Sequence, residues 1–268
     1  MRCGPAHRAS LLPQPRRRPL LDPDEPAPFV LENTGGGSPW LLTCEHGGRR
    51  LPRALGDLGL PAAAFERHIA WDIGALGVAR SLARALDAEL VHQPYSRLVV
   101  DCNRPPTRPS FIPEISEATV IPGNLGLAPE ARLAREKAIW RPFQDAVAEA
   151  VGGRAGLLAI HSFTPVYKEQ VRPWQLGFLH ARAERLALDL QRWFAAEAQI
   201  EAALNEPYCV DADDYTIPVH GDARGRPAVL VEIRQDLIAD ARGQARWADL
   251  LRRAVLNLEP PAQPAQSE

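Results

Sequence analysis

Short apolar runs alternate with helical periodicity from residue 40 to residue 257, and this alternation restricts the fold more than any other feature of the chain. Strands are predicted at 40–44 (WLLTC), 88–92 (AELVH), 97–101 (RLVVD), 157–161 (LLAIH), 175–179 (QLGFL) and 228–233 (AVLVEI). Helices are predicted at 73–87, 130–151, 181–198 and 243–257. In the first helix Ala75, Ala79, Leu82 and Leu86 recur at spacings of four and three, which makes one apolar stripe. Pro142 falls inside the second and has to kink or divide it, because proline lacks the N–H and crowds the preceding turn. The runs at 157–160 and 228–231 are apolar without interruption, as in strands covered on both faces. Strands and helices in this order build a three-layer α/β domain: a mainly parallel or mixed twisted sheet with helices on both faces.

The ends break the pattern. Seven of the 26 prolines lie in residues 1–28 and three in residues 259–268, and the first 18 residues hold five arginines and no acid. A transit peptide is also basic, but Pro5, Pro13, Pro15 and Pro19 would break its helix. Residues 1–28 and 259–268 are therefore read as flexible tails on a body at 29–258.

Charge and cysteine usage exclude several classes. Lys plus Arg is 31 and Asp plus Glu is 33, so the net charge is −2, without the basic excess that phosphate neutralisation requires. Cys3, Cys44, Cys102 and Cys209 form no CxxC pair, which argues against a disulfide scaffold or a zinc ribbon. No apolar run approaches the roughly 20 residues of a membrane helix. The expectation is a cytoplasmic protein without nucleic-acid or membrane partners.

In open α/β sheets the ligand crevice lies beyond the carboxyl ends of the strands. Strand 40–44 runs into Glu45-His46-Gly47-Gly48, 97–101 into Asp101-Cys102-Asn103-Arg104, 157–160 into His161-Ser162, and 228–231 into Glu232 and Arg234. Two imidazoles from separate strands with one carboxylate suit a three-ligand metal site that keeps a position open. Asp72 is the first candidate for that carboxylate and Glu45 the second, although Asp72 also suits the N-cap of the helix that follows it. Arg97 and Asp101, on one face of a strand, can pair structurally, or Arg97 can help bind a carboxylate. Arg104 beside Asn103 is the better carboxylate pocket. Glu232 in an apolar strand needs either Arg234 as a partner or a raised pKa, and in the second case it suits a general base.

These residues, in this order, resemble the N-formylglutamate amidohydrolase family. The similarity runs through TCEHGGRRLP (43–52), HIAWDIGALGVARSLA (68–83), YSRLVVDCNRP (95–105), IPGN (121–124), IHSFTP (160–165), RPWQLG (172–177), NEPY (205–208) and VEIRQDLI (231–238). It implies a fold similar to that of the zinc exopeptidases and aspartoacylase-like deacylases. It also implies His46 and His161 on one divalent ion, zinc, with Asn103 and Arg104 on a substrate carboxylate and Glu232 as base. The zinc exopeptidases carry their carboxylate ligand three residues after the first histidine, where this chain has Arg49, so the resemblance points to Asp72 instead. The expected activity is removal of a formyl or other small acyl group from an amino acid such as N-formyl-L-glutamate. The alternatives are a related deacylase, a small-peptide carboxypeptidase, or a binding protein that keeps the fold without catalysis.

Overall fold

The structure is a computed structural model that describes residues 19–258. The strands are β1 (Val30–Glu32), β2 (Trp40–Cys44), β3 (Glu89–His92), β4 (Ile115–Ser116), β5 (Thr119–Val120), β6 (Gly156–Phe163), β7 (Val166–Tyr167), β8 (Gln170–Val171), β9 (Leu176–Leu179), β10 (Ala203–Leu204) and β11 (Ala228–Arg234). The α-helices are α1 (Ala75–Leu86), α2 (Pro129–Arg135), α3 (Arg141–Ala150), α4 (Glu184–Trp193) and α5 (Ala241–Leu256). One mixed sheet runs in the order β1-β3-β2-β6-β11-β9-β10, while β4–β5 and β7–β8 are separate small hairpins. Its centre, β3-β2-β6-β11, is parallel; β1 and β9 pair antiparallel at its flanks.

Period two divides the sheet's side chains between two cores. Leu42, Cys44, Leu158, Ile160, Val229 and Val231 pack against α1, α4 and α5. Leu41, Leu157, Ala159, Ala228 and Leu230 face the other way, against Ile139, Trp140, Phe143 and Val147 around α3. The expected three-layer α/β architecture is therefore present. The predicted second helix is split as Pro142 requires: α2 ends at Arg135, a wide turn spans Glu136–Trp140, and α3 follows. Among the described residues no helix is long and apolar enough to cross a membrane.

Two expectations are corrected. Residues 97–101 are not a strand. β3 already has neighbours on both sides, so the buried Leu98, Val99 and Val100 enter the core from turns. Side chains satisfy their carbonyls instead: Asn124 donates to Leu98 O at 2.9 Å and Arg135 to Val99 O at 2.9 Å. The packed body also begins before residue 29. Leu20 and Leu21 pack against the second core, Tyr95 donates to Pro26 O at 2.7 Å, and Gln93 donates to Pro28 O at 2.9 Å. Residues 1–18 and 259–268, the rest of the expected tails, lie outside the described residues.

Gly48 has a definite structural reason. A Cβ there would stand 2.0 Å from Pro94 O, where Arg50 and Tyr95 bridge the segment after β2 to the one after β3. Gly48→Ala should destabilise the protein by about 1–3 kcal/mol, the usual cost of overpacking, as read from denaturant unfolding. Unchanged stability would mean that this approach is looser than the geometry indicates.

Candidate functional site

All seven candidate residues (His46, Asp72, Arg97, Asn103, Arg104, His161 and Glu232) line one cavity of about 1050 Å³ beyond the carboxyl ends of the parallel strands. His161 and Glu232 are register partners on β6 and β11, on the same face as Ala159 and Leu230. His46 follows β2 directly, and the Asp72 amide donates to its carbonyl at 2.9 Å. Ser162 fastens the segment before α1 to the end of β6: its hydroxyl donates to Ile73 O at 3.0 Å, and its amide to Asp72 Oδ2 at 3.4 Å.

Three buried atoms converge. His161 Nδ1 lies 2.8 Å from Asp72 Oδ2, His46 Nδ1 lies 3.1 Å from His161 Nδ1, and His46 Nδ1 lies 3.4 Å from Asp72 Oδ2. The outer nitrogen of each ring meets another carboxylate: His46 Nε2 is 2.7 Å from Asp101 Oδ1, and His161 Nε2 is 2.8 Å from Glu45 Oε2. When the outer nitrogen carries the proton, each neutral ring turns an unprotonated Nδ1 towards Asp72. Three lone pairs facing one another in a buried site repel unless positive charge lies among them. A proton can supply it. Burial works against protonation of His161, but hydrogen bonds to Asp72 and Glu45, with their charges, raise its pKa well above the usual histidine range.

A metal ion can supply that charge equally well. Donors held about 2.0–2.1 Å from one tetrahedral ion stand about 3.3 Å apart, close to the spacings of these three atoms. Carboxylates on the outer nitrogens are also the usual support of metal-bound histidines. His46, Asp72 and His161 thus form a set that can hold a metal ion. Asp72 is not the helix cap that its position suggested, since Gly74 occupies the N-cap of α1 and no side chain caps it. Glu45, the second candidate for the carboxylate ligand, supports His161 from behind instead.

Arg97 donates to Asp72 Oδ1 at 3.1 Å and to Asp101 Oδ2 at 3.3 Å, joining the two carboxylates that serve His46 and His161. The Arg97–Asp101 contact was expected, but a turn makes it rather than a strand. Burial opposes ionisation of Asp72 and Asp101. The His46 and Arg97 charges outweigh it and hold both below the usual carboxylate range.

Glu232 differs. It is 6% exposed, and its Oε2 has no hydrogen-bond partner among the described residues. Arg234, its expected structural partner, pairs with Asp236 at 2.8 Å. Burial first, then the charge of Asp72, push the Glu232 carboxyl up to about 8 against the opposing charges of His161, Arg97 and Arg172. A partnerless carboxyl beside the three converging atoms has the environment of a general acid–base group.

Asn103 and Arg104, expected to stand open to a substrate carboxylate, hold one of the protein's own. Asn103 Nδ2 and Arg104 Nη1 donate to Asp214 Oδ1 at 3.1 and 2.7 Å, and Asn103 Oδ1 accepts from the Tyr215 and Thr216 amides at 3.2 and 2.9 Å. Asp214 is 110 residues from Arg104 in sequence, and no local pattern announces the pairing. Sequence reading also missed the roles of Glu45 and Asp101 behind the histidines, and the presence of His68 and Tyr208 in the cavity wall. For Asp101 there was a signal, since it belongs to the SRLVVDCNR run.

Residues 38–239 match the family model for N-formylglutamate amidohydrolase. A gene product of Agrobacterium tumefaciens of known crystal structure is 39% identical; the match covers 88% of this chain and 98% of that one with a TM-score of 0.84. The N-formylglutamate amidohydrolase of Ralstonia eutropha JMP134 shares the fold at 18% identity and a TM-score of 0.59, with 86% of this chain and 98% of that one covered. No curated protein matches the chain.

Proposed function

The chain belongs to the N-formylglutamate amidohydrolase family, and from that premise we propose that it is a metal-dependent hydrolase of N-acyl amino acids, with N-formyl-L-glutamate as the reference substrate. The observation that carries the reading is the convergence of His46 Nδ1, His161 Nδ1 and Asp72 Oδ2, each ring backed by a carboxylate, beside the partnerless Glu232. Nitrogen and oxygen donors in a three-ligand set favour zinc.

A divalent ion held by these residues supplies Lewis-acid chemistry, acidifying water and drawing electron density from a carbonyl. Glu232 takes the proton from the attacking water and returns it to the leaving amine. The cavity wall orients the acyl bond, and Arg97 keeps Asp72 and Asp101 ionised and in place. The proposed compartment is the cytoplasm and the proposed partner a small molecule.

A second reading concerns the acyl group. Cavities of roughly 300–1,000 Å³ take drug-sized ligands, and this one, at about 1050 Å³, has room for an acyl group far larger than formyl. A panel of formyl, acetyl and longer acyl derivatives of glutamate, with small dipeptides, separates the two readings. Turnover should be abolished by a chelator and restored by zinc. A metal-loaded protein that hydrolyses none of the panel would overturn the proposal.

A further inference from the structure

Arg172 lies between the β7–β8 hairpin and β9, where it is 7% exposed. Among the described residues no carboxylate lies within ion-pairing distance of it. The other arginines near the cavity are committed: Arg97 to Asp72 and Asp101, Arg104 to Asp214, and Arg132 Nη2 to the carbonyls of Pro106 and Arg108. A guanidinium buried without counter-charge is costly, and aromatic rings offset only part of that cost. Here the rings of Tyr167, Tyr208 and Phe163 stand 4.6, 4.7 and 5.9 Å from its Cζ. Nη1 donates to Tyr208 Oη at 2.8 Å and to Thr164 Oγ1 at 3.5 Å. Nε and Nη2 donate to none of the described residues. The planar fork is thus held in one orientation by rings and one anchored nitrogen, with donors to spare for a carboxylate.

Arg172 stands behind the cavity wall rather than in it, next to two residues that line it. Tyr167 and Tyr208, which hold the guanidinium, line the cavity together with Glu232. Asn103 and Arg104 already bind the Asp214 carboxylate, so a substrate carboxylate would have to displace an intramolecular one there. At Arg172 it would complete a missing pair.

We propose that Arg172 receives a carboxylate of the substrate, and that Asn103 and Arg104 instead position the cavity wall around Asp214. This assignment rests on the N-acyl amino acid reading above, and it deepens that reading by naming the residue that selects for an acid.

The test is calorimetric binding of N-acetyl-L-glutamate and of its diamide to the zinc-loaded full chain, in the Glu232→Gln background so that nothing is turned over. The parent should prefer the diacid. Arg172→Gln should weaken the diacid by about 10- to 100-fold, the worth of a charge-assisted pair, and leave the diamide nearly unchanged. Arg172→Lys should recover part of the loss. Arg104→Gln should lower the melting temperature but keep the preference for acid over diamide. Zinc content and thermal melts of the Arg172 variants confirm that they are folded. Four results overturn the proposal: no diacid preference in the parent, unchanged diacid binding in Arg172→Gln, equal losses for diacid and diamide, or a preference that vanishes in Arg104→Gln instead. If binding behaves as expected but the active enzyme hydrolyses no N-acyl amino acid, Arg172 stands as the acid-binding residue and the hydrolase reading fails separately.

Discussion

Replacing Glu232 with glutamine should lower kcat by about 10²–10⁴-fold, the usual size of a general acid–base contribution, while fold and metal content survive. The structural alternative predicts the opposite pattern: a buried guanidinium stripped of its partner, with a loss of roughly 3–5 kcal/mol. That alternative lacks its partner, because Arg234 pairs with Asp236 and no described residue donates a hydrogen bond to Glu232 Oε2. Glutamine keeps the volume at this position in β11 but cannot accept and return a proton.

The pH dependence of stability gives a second reading of the same variant. In the metal-free protein Glu232 titrates at about 8, whereas the ordinary value is 4.5. Its folded pKa is raised, so its contribution to stability is fully present below 4.5 and is lost as pH rises towards about 8. Over that window the unfolded chain releases a proton that the folded one retains. Denaturant unfolding at pH 5 and pH 8 should therefore show this loss in the metal-free parent and a smaller one in Glu232→Gln. A variant that melts early yet turns over normally per folded molecule would make Glu232 structural, and the mechanism would need another base.

Metal content should fall from close to one divalent ion per chain to a small fraction in His46→Ala or His161→Ala, with turnover falling alongside. Each substitution removes one of the converging donors, and two ligands do not make a zinc site of the three-ligand kind. Asp72→Ala should weaken metal binding more than Glu45→Ala. The first deletes a donor and also strips Arg97 of one of its two carboxylates; the second removes only the support behind His161. Losing such support costs about 10–100-fold in metal affinity, so Glu45→Ala should still load at high zinc. Elemental analysis after dialysis, with competition against a chelator of known affinity, reads all four variants. Full occupancy in a His46→Ala, His161→Ala double variant would remove the site altogether, and the reverse order for Asp72 and Glu45 would move the carboxylate ligand to Glu45.

Local sequence pattern set the architecture and the edge of the sheet where the candidate residues gather. Uninterrupted apolar runs at 157–160 and 228–231 can be buried only between two layers, and polar residues at the ends of such runs must emerge at the strand termini. His46, His161 and Glu232 were legible for that reason: each is local to a strand whose direction its neighbours already set. Which charges meet depends on how distant segments close on one another. Asp72 rather than Glu45 joins the histidines, because the loop after β2 folds back so that the Asp72 amide reaches His46 O and Ser162 fastens it from β6. The LVV run at 98–100 became buried turns because β3 had no free edge. Asn103 and Arg104 found Asp214, and Arg172 found aromatic rings and, among the described residues, no carboxylate. Apolar periodicity is encoded within a few residues, whereas charge pairing depends on how segments tens of residues apart close on one another, so only the folded chain can settle it.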